Sequence, residues 1–245
     1  MGVTQHGRTH RLDLADPSLR EWECTVLSSD AQDGIVLDRS AFYPGGGGQP
    51  PDHGVLLWQG VQTRIVGTRK GDDLYLLPAE GDPLPPPGTA VTGAVEDDRR
   101  SMLMRTHSGL HVLCGVVFRD FGALVTGGNM EPGEARMDFN LPEVPADFKA
   151  RLEELVNAEV TADRRVVTRV LSRDEALALP DIIRTQSNLI PADEQEIRIV
   201  DITGLDVQAD GGTHVASTSQ IGKVSVVKVE SKGRANRRVR VRVSD

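Results

Sequence analysis

Two short motifs, each holding a pair of potential metal ligands, constrain most strongly how this chain can fold. His107 and His111 lie within Arg-Thr-His-Ser-Gly-Leu-His, and Asp210 and His214 follow much later within Asp-Gly-Gly-Thr-His. On a helix, a spacing of four residues places both imidazoles of the first motif on one face. In the second motif, two glycines permit a turn tight enough to aim both ligands at one point. The two motifs can therefore converge on one site.

Three imidazoles and one carboxylate form a ligand set that suits a single Zn²⁺ ion in tetrahedral coordination. The sequence therefore predicts that His107, His111, Asp210 and His214 hold one metal ion. The alternative is a pair of surface histidines at helical spacing and a third histidine that caps a turn. One HxxxH motif alone would favour this alternative, but the second paired motif favours a metal site.

The same residues exclude two classes of hydrolase. A metalloprotease of the HExxH type carries a glutamate between its histidines as general base, whereas this chain has Ser108-Gly109-Leu110 there. No Ser-His-Asp or Cys-His arrangement with the signature of a nucleophile accompanies the motifs, so we expect no covalent intermediate.

The composition indicates a soluble α+β protein. The 245 residues suffice for one large or two modest domains, and 38% of them are hydrophobic. The sequence contains no apolar run of about 18 residues and no signal-peptide core, so we expect neither a membrane span nor export from the cytoplasm. Cys24 and Cys114 lie outside any CxxC spacing, and we expect both to be buried, reduced thiols.

The charges of the chain are unevenly distributed. From Lys228 to the end there are seven Lys/Arg and two acidic residues, a local excess of +5, whereas the whole chain carries −8 and the remainder therefore −13. A basic tip on an acidic body fits the docking of a polyanion at one place and argues against general DNA binding. The alternative is a solvated strand edge whose charges prevent aggregation. Charge alone leaves both interpretations open.

Turn signals and short apolar runs indicate that the first 95 residues form a small β-rich domain. Residues 1–10 are polar and aperiodic and are predicted to be a flexible extension. Strands are predicted at residues 23–37 (two strands around a loop at 28–34), 55–58, 62–66, 74–77 and 90–95. The four glycines at 45–48 exclude regular structure and permit positive φ and the close approach of another group.

Two helices and further strands are predicted after residue 95. The first helix begins at Asp97-Asp98, with acids at the positive end of its dipole, and ends near Phe118. Gly109 within it indicates that another group approaches the helix closely beside the ligands. The second helix spans residues 146–161, and strands are predicted at 166–171, 197–202, 207–208, 223–230 and 237–243, with Asn236 in the last turn.

We therefore expect an α+β fold. A small, β-barrel-like domain is predicted over residues 1–95. An α+β domain with an antiparallel sheet and a metal-bearing helix is predicted over residues 96–245.

Five ordered elements of the chain carry a resemblance. They are the paired histidines, the glycine-rich segment 41–50, the segment 127–139 that ends in Arg-Met-Asp-Phe, the second ligand segment 206–215 with Ile221-Gly222, and the basic hairpin 230–238. In order and spacing they resemble the AlaX family of alanyl-tRNA editing proteins and the related editing domain of alanyl-tRNA synthetases. The resemblance runs from about Leu14 to Val243 and favours the free-standing, medium-length AlaX-M type.

The resemblance implies a metal-dependent aminoacyl-tRNA deacylase, an ester hydrolase that removes a wrong amino acid from tRNA(Ala). Serine is expected as the main wrong amino acid and glycine as a second one. The implied cofactor is one zinc ion, and the implied partner is the acceptor end of mischarged tRNA(Ala), with no DNA or membrane partner. We expect no charging of tRNA, because a chain of this length leaves no room for an aminoacylation domain. The resemblance is compatible with either a monomer or a homodimer.

The family also implies residues for substrate and tRNA. Thr126, Gly46, Gly47 and Gln49 are predicted to bind the substrate, although Thr126 is almost equally well interpreted as the start of a loop. Lys232, Arg234, Arg237 and Arg238 are predicted to contact tRNA phosphates.

Two departures from the family pattern bear on the metal. The family usually has Cys where this chain has Asp210, and Thr-Ala-Thr where it has Ser108-Gly109-Leu110. Asp keeps the charge of a thiolate but is a harder ligand, so we expect weaker and less selective zinc binding. Alternatively, three histidines hold the metal and Asp210 orients one of them.

Two other functions therefore stay open. One is a catalytically silent module that binds tRNA or metal, and the other is a hydrolase of small esters or amides. The basic hairpin argues against the second.

Overall fold

The computed structural model describes residues 5–187 and 190–245. It divides into two compact units, Met1–Gly46 with Pro50–Ser101 and Gly47–Gln49 with Met102–Asp245. Helices and mostly antiparallel sheets occur together, which confirms the predicted α+β class.

The first unit is built around a closed barrel of six strands. Its elements are β1 (Gln5–His6), β2 (Thr9–Arg11), α1 (Leu12–Ala15), β3 (Glu21–Asp30), β4 (Gly34–Leu37), β5 (Arg39–Ser40), β6 (Gly54–Trp58), β7 (Val61–Lys70), β8 (Leu74–Pro78) and β9 (Ala90–Val95). The barrel runs in the order β3-β4-β8-β7-β6-β9, and β9 closes it by pairing with β3. Alternate residues of β7 face the interior, where Ile65 packs with Trp22, Leu56 and Val91. The barrel-like N-terminal region predicted from the sequence is confirmed.

The prediction of a flexible N-terminal extension is wrong for residues 5–10. These residues form β1 and most of β2, and Thr9 is fully buried with its hydroxyl donating to Leu37 O at 2.7 Å. The backbone N–H of Arg8 donates to Asp73 Oδ1 at 2.8 Å. The segment is ordered by partners far along the chain, which its own polar sequence does not reveal. Residues 1–4 of the predicted extension lie outside the described residues.

The second unit contains two antiparallel sheets and two long helices. Its elements are α2 (Asp97–Phe121, whose first residues belong to the first unit), β10 (Val125–Glu131), β11 (Glu134–Phe139), α3 (Phe148–Thr161), β12 (Val166–Ser172), α4 (Arg173–Leu177), β13 (Glu196–Ile202), β14 (Asp206–Ala209), a 3₁₀ turn (Thr218–Ile221), β15 (Lys223–Ser231) and β16 (Arg237–Ser244). One sheet has the order β10-β11-β16-β15 and the other β12-β13-β14. Both predicted helices and the five predicted strands are confirmed, whereas the sequence does not predict β10 or α4.

Helix α2 contributes buried residues to the hydrophobic core of the second unit. Leu103, Leu110 and Cys114 are buried on it. The predicted close approach at Gly109 is wrong, because a Cβ there would lie 3.5–3.6 Å from three methyl groups, an ordinary contact. The tight approach is at Gly115, where a Cβ would lie 2.9 Å from Leu205 Cγ.

Both cysteines are buried, as the sequence predicts, and neither forms a disulfide. Burial raises the pKa of the Cys24 thiol to about 12.

Across residues 5–187 and 190–245, no helix combines the length and apolar character that crossing a membrane requires.

A fully buried ion pair joins α2 to the loop before β6 in the first unit. Arg100 Nε lies 3.0 and 3.1 Å from the two carboxylate oxygens of Asp52, and both side chains are inaccessible to solvent. Arg100 also donates to Pro17 O at 2.8 Å, and Asp52 accepts the Tyr43 N–H at 2.6 Å. Such a pair is stable only while each charge keeps its partner.

Replacing Arg100 by methionine (Arg100→Met) should therefore lower the free energy of unfolding of the first unit by about 3–5 kcal/mol, because it leaves the Asp52 carboxylate buried without its counter-charge. Both tryptophans of the chain, Trp22 and Trp58, belong to this unit, so urea unfolding followed by tryptophan fluorescence measures the loss. Arg64→Met is the control, because it breaks a pair with Asp82 whose arginine is 60% exposed. Equal shifts in the two variants would contradict the role of the buried pair.

Candidate metal centre

The four predicted ligands come together inside the second unit. Helix α2 presents His107 and His111 on one face, with ring centroids 5.0 Å apart. The loop after β14 brings the His214 ring to 4.5 Å from the first ring and 4.7 Å from the second. All three histidines are buried, with at most 6% of each residue exposed. The two motifs therefore converge as their spacing predicts.

The Asp210 carboxylate lies within 4.0 Å of a ring nitrogen of all three imidazoles. Its Oδ1 is 3.6 Å from His107 Nε2 and 4.0 Å from His111 Nε2, and its Oδ2 is 3.0 Å from His214 Nε2. One ligand atom from each of the four residues falls within 4.8 Å of all the others. In a tetrahedral zinc site with bonds of about 2.0–2.1 Å, ligand atoms are about 3.4 Å apart. The donor set and its spacing thus fit one divalent metal ion.

The Nδ1 atoms of two rings are held by neutral partners. His107 Nδ1 lies 2.9 Å from Gln49 Oε1, which also accepts the Thr213 N–H at 3.1 Å. Because the Gln49 amide nitrogen donates to Thr213 Oγ1 at 2.9 Å, the oxygen must accept from the ring, and Nε2 keeps its lone pair for the metal. His214 Nδ1 lies 3.1 Å from Ser108 Oγ.

The protonation of the cluster also suits a metal. Burial lowers the pKa of His107 to about 4, and burial together with the charge of His107 holds the pKa of His214 well below its usual value. Burial also lowers the pKa of His111, but the carboxylates of Asp206 and Asp210 raise it overall. Burial raises the pKa of Asp210, yet the surrounding imidazoles hold it well below its usual value. At neutral pH, His107 and His214 therefore offer unprotonated imidazole nitrogens and Asp210 offers a carboxylate, whereas His111 holds a proton more strongly than the other two rings.

Gly212 allows the second motif to reach the helix. A Cβ on this residue would lie 2.2 Å from His107 Cε1 and 2.8 Å from Gln49 Oε1, whereas a Cβ on Gly211 would meet nothing within 4 Å. The Gly212 N–H donates to Asp210 Oδ2 at 2.6 Å and fixes the turn. Only the second of the two glycines is required sterically.

Part of the glycine-rich loop lies beside the metal ligands. Gly45, Gly46, Gly47 and Gly48 all have positive φ, as the sequence predicts. A Cβ on Gly47 would lie 3.7 Å from Asp210 Oδ1, and Gly48 O accepts the Met130 N–H at 3.2 Å. Gly46 belongs to the first unit, where a Cβ on it would lie 2.9 Å from Lys70 Nζ. Gln49, predicted as a substrate ligand, is engaged with His107 and Thr213.

Thr126, the predicted contact to the substrate side chain, is bonded to the hairpin turn. It is exposed on β10, and its hydroxyl donates to Asn236 Oδ1 at 3.2 Å. Among the described residues, no hydrogen bond joins its side chain to the four ligands.

The four predicted tRNA-binding residues fall into two groups. Lys232 and Arg234 are exposed in the turn between β15 and β16 and form no salt bridge within the described ranges. Arg238 donates from Nε and Nη2 to the two Asp138 oxygens, both at 2.7 Å, and Arg237 donates to the carbonyl of Pro142.

The sequence did not identify Arg198, which supports the backbone of the centre. Arg198 Nη1 donates to Asp210 O at 3.0 Å and Gly212 O at 2.9 Å, so its guanidinium holds the backbone of the second motif. Its signal was a cation flanked by two isoleucines in a strand, a position where a charged side chain is rarely buried without a specific partner.

Comparison with known proteins first relates this chain to domains of aminoacyl-tRNA synthetases. The family model described as the threonyl and alanyl tRNA synthetase second additional domain matches residues 197–240, which include Arg198, Asp210 and His214. An alanine–tRNA ligase of Pyrobaculum neutrophilum is 38% identical over 91% of this chain, but the match covers only 25% of that ligase. The chain thus spans about a quarter of the ligases it matches.

Relatives that match over nearly their whole length show the family to which the chain belongs. The alanyl-tRNA editing protein AlaX-M of Saccharolobus solfataricus is 35% identical, with 94% of this chain and 97% of that protein covered. The AlaX-M protein of Methanosarcina acetivorans is 33% identical with the same coverage. The chain belongs to the AlaX-M family of alanyl-tRNA editing proteins.

Replacing Gly212 by alanine should weaken Zn²⁺ binding by at least about tenfold, because its methyl group would displace His107 and Gln49. Gly211→Ala is a matched control one residue away, with open space around its Cβ, and should bind Zn²⁺ like the original protein. Chelator competition measures both affinities. Equal affinities for the two variants would show that the close approach does not control the metal site.

Proposed function

We propose that this protein hydrolyses mischarged tRNA(Ala) in trans in the cytoplasm, with Ser-tRNA(Ala) as its main substrate and Gly-tRNA(Ala) as a second one. The observation that carries the proposal is the convergence of His107, His111, Asp210 and His214 in a chain of the AlaX-M family. We assign these four residues to one zinc ion.

The reaction breaks the ester bond between the amino acid and the terminal ribose. A water oxygen adds to the ester carbonyl carbon, the ribose oxygen departs, and the two protons of water end on the ribose and the carboxyl product. Bound zinc would polarise the carbonyl, lower the pKa of water or position the substrate. The ligand-bearing turn of α2 supplies no carboxylate between its histidines, so a hydroxyl of the substrate ribose is the group we assign to proton transfer.

The chain's own residues prepare this chemistry by fixing the ligands. Gln49 and Ser108 hold the Nδ1 atoms of His107 and His214, so both rings are oriented before substrate arrives. Preorganised polar groups of this kind cost no rearrangement during reaction. A Cβ on Gly47 would lie 3.7 Å from Asp210 Oδ1, so we assign the backbone of Gly47 to the wall of the site that receives a small amino acid side chain.

Discrimination between serine and alanine is assigned to Thr126. Its hydroxyl now donates to Asn236 Oδ1, and a seryl hydroxyl would offer an equivalent partner. The methyl group of alanine would offer none, so a bound alanyl group that excluded water from Thr126 would gain no hydrogen bond in exchange.

The tip of the β15–β16 hairpin is assigned to the tRNA acceptor stem. Lys232 and Arg234 are the exposed cations of its turn. Arg237 and Arg238 lie at the base of the turn and already donate to protein oxygens, so we assign them weaker phosphate contacts. Phosphate contacts of this kind give affinity with little sequence discrimination.

The second candidate is a silent tRNA-binding or metal-binding module, favoured by Asp210 in place of the family's usual Cys. Deacylation of purified Ser-, Gly- and Ala-tRNA(Ala), with and without chelator, decides between the two. We expect release of serine to be fastest and of alanine slowest, and we expect chelator to abolish release until Zn²⁺ is restored. Zinc-loaded protein that leaves Ser-tRNA(Ala) intact would favour the silent module.

The hairpin assignment predicts a specific salt dependence. The double variant Lys232→Gln with Arg234→Gln should reduce the salt slope of tRNA binding by about two, one per lost phosphate contact. The relative rates on seryl and glycyl esters at saturation should not change.

Arg240→Gln with Arg242→Gln is the matched control. It removes the same charge from arginines that pair with Glu230 and Glu134, so its effect on the slope should be smaller. Equal slopes for both double variants would indicate general charge attraction instead of contact at the tip.

A further inference from the structure

The environment of the His111 Nδ1 atom is not explained by the four metal ligands. It is buried and has no hydrogen-bond partner among residues 5–187 and 190–245. The corresponding atoms of His107 and His214 lie within hydrogen-bond distance of Gln49 and Ser108. A neutral ring that offers Nε2 to a metal carries its proton on Nδ1. His111 therefore needs an acceptor behind it.

Asp206 is placed to be that acceptor. Its Oδ2 lies 3.7 Å from His111 Nδ1, about 0.8 Å beyond the common N–H···O distance of about 2.9 Å. Asp206 is the first residue of β14, the strand that leads into the Asp210 loop, and its side chain is 1% exposed. A small movement of the ring or the carboxylate would form the bond.

Two donors hold the Asp206 carboxylate in this position. Arg184 Nε donates to Oδ1 at 2.9 Å, and Gln208 Nε2 donates to Oδ2 at 2.5 Å. The Arg184 guanidinium lies 3.9 Å from the centroid of the Phe118 ring, which fixes it over α2. These contacts compensate the burial of the carboxylate and leave lone pairs on Oδ2 for a further donor.

Helix α2 is also shaped to admit this side chain. Gly115 lies one turn after His111, and a Cβ on it would come within 3.0 Å of Asp206 Cβ and 2.9 Å of Leu205 Cγ. Glycine in a helix interior is disfavoured relative to alanine. Its presence here lets β14 approach the helix beside the ligand.

We infer that Asp206 is the positioning residue of His111, accepting its Nδ1–H so that Nε2 stays directed at the metal. The inference rests on the metal-dependent function proposed above. It gives His111 an anionic partner, whereas His107 and His214 have neutral ones. A carboxylate behind a ligating imidazole fixes the tautomer and raises the basicity of the ligand nitrogen.

The first test compares Zn²⁺ affinities by chelator competition. Asp206→Asn keeps the shape of the side chain and should weaken Zn²⁺ binding by about 10–100-fold. Arg184→Gln removes one of the two donors to Asp206 but keeps the carboxylate and its Gln208 hydrogen bond, so it should weaken Zn²⁺ binding much less than Asp206→Asn does. If Asp206 served only to anchor Arg184, both variants would lose affinity equally, and that result would overturn the inference.

The second test is spectroscopic, and its first measurement uses the protein without substitutions. In long-range ¹H–¹⁵N spectra of the zinc-loaded protein, we expect His111 protonated on Nδ1, with its proton further downfield than those of His107 and His214. Asp206→Asn should move this resonance alone. A His111 protonated on Nε2, or a resonance unchanged by the substitution, would overturn the inference.

The proposed function can fail separately. Zinc-binding protein that does not release serine from tRNA(Ala) would overturn the function and leave the Asp206 result intact. Protein that binds no Zn²⁺ would overturn the inference about Asp206, whatever its deacylation rate.

Discussion

The metal centre depends on the approach of the Gly212 backbone to the His107 ring. Any side chain on Gly212 would overlap the imidazole and the Gln49 amide. Because that space is open, Gln49 can bond to His107 and to Thr213 at once. A residue from the glycine-rich loop, a helix residue and a residue of the late turn are thus tied together by one amide group. Arg198 then fixes the turn by donating to its carbonyls.

Two carboxylates and two guanidinium groups balance the charge of the candidate metal centre. Asp206 and Asp210 are carboxylates in or beside the cluster, and Arg184 and Arg198 are the guanidinium groups that contact their side chain or backbone. These four charges sum to zero. The positive charge of a bound divalent ion would therefore be left uncompensated, and the ester hydrolysis that we propose would use it where negative charge develops on the carbonyl oxygen. A hard carboxylate ligand fits this arrangement, because it leaves more charge on the metal than a soft thiolate does.

The sequence predicted the ligands because their geometry is encoded locally, in a spacing of four on a helix and in a glycine turn. It also located both long helices and most strands, whose periodicity is likewise local. It missed what depends on distant partners. Residues 5–10 are ordered by Leu37 and Asp73, and β10 contains Gly127-Gly128-Asn129, poor strand formers that pair with β11. The close approach was expected at Gly109 but occurs at Gly115, because a helix pattern does not show which face meets β14.

Counting charges along the chain could not separate cations that serve the sheet from cations open to a partner. On β16, Arg238 and Arg242 form salt bridges with Asp138 and Glu134 of the neighbouring strand β11. These two acids lie outside the segment that begins at Lys228, and they reduce its local excess from +5 to +3. Cross-strand pairs of this kind stabilise the sheet and protect register. The positive charge that remains is concentrated at the turn, where Lys232 and Arg234 are exposed, so the proposed contact with tRNA rests on these two cations.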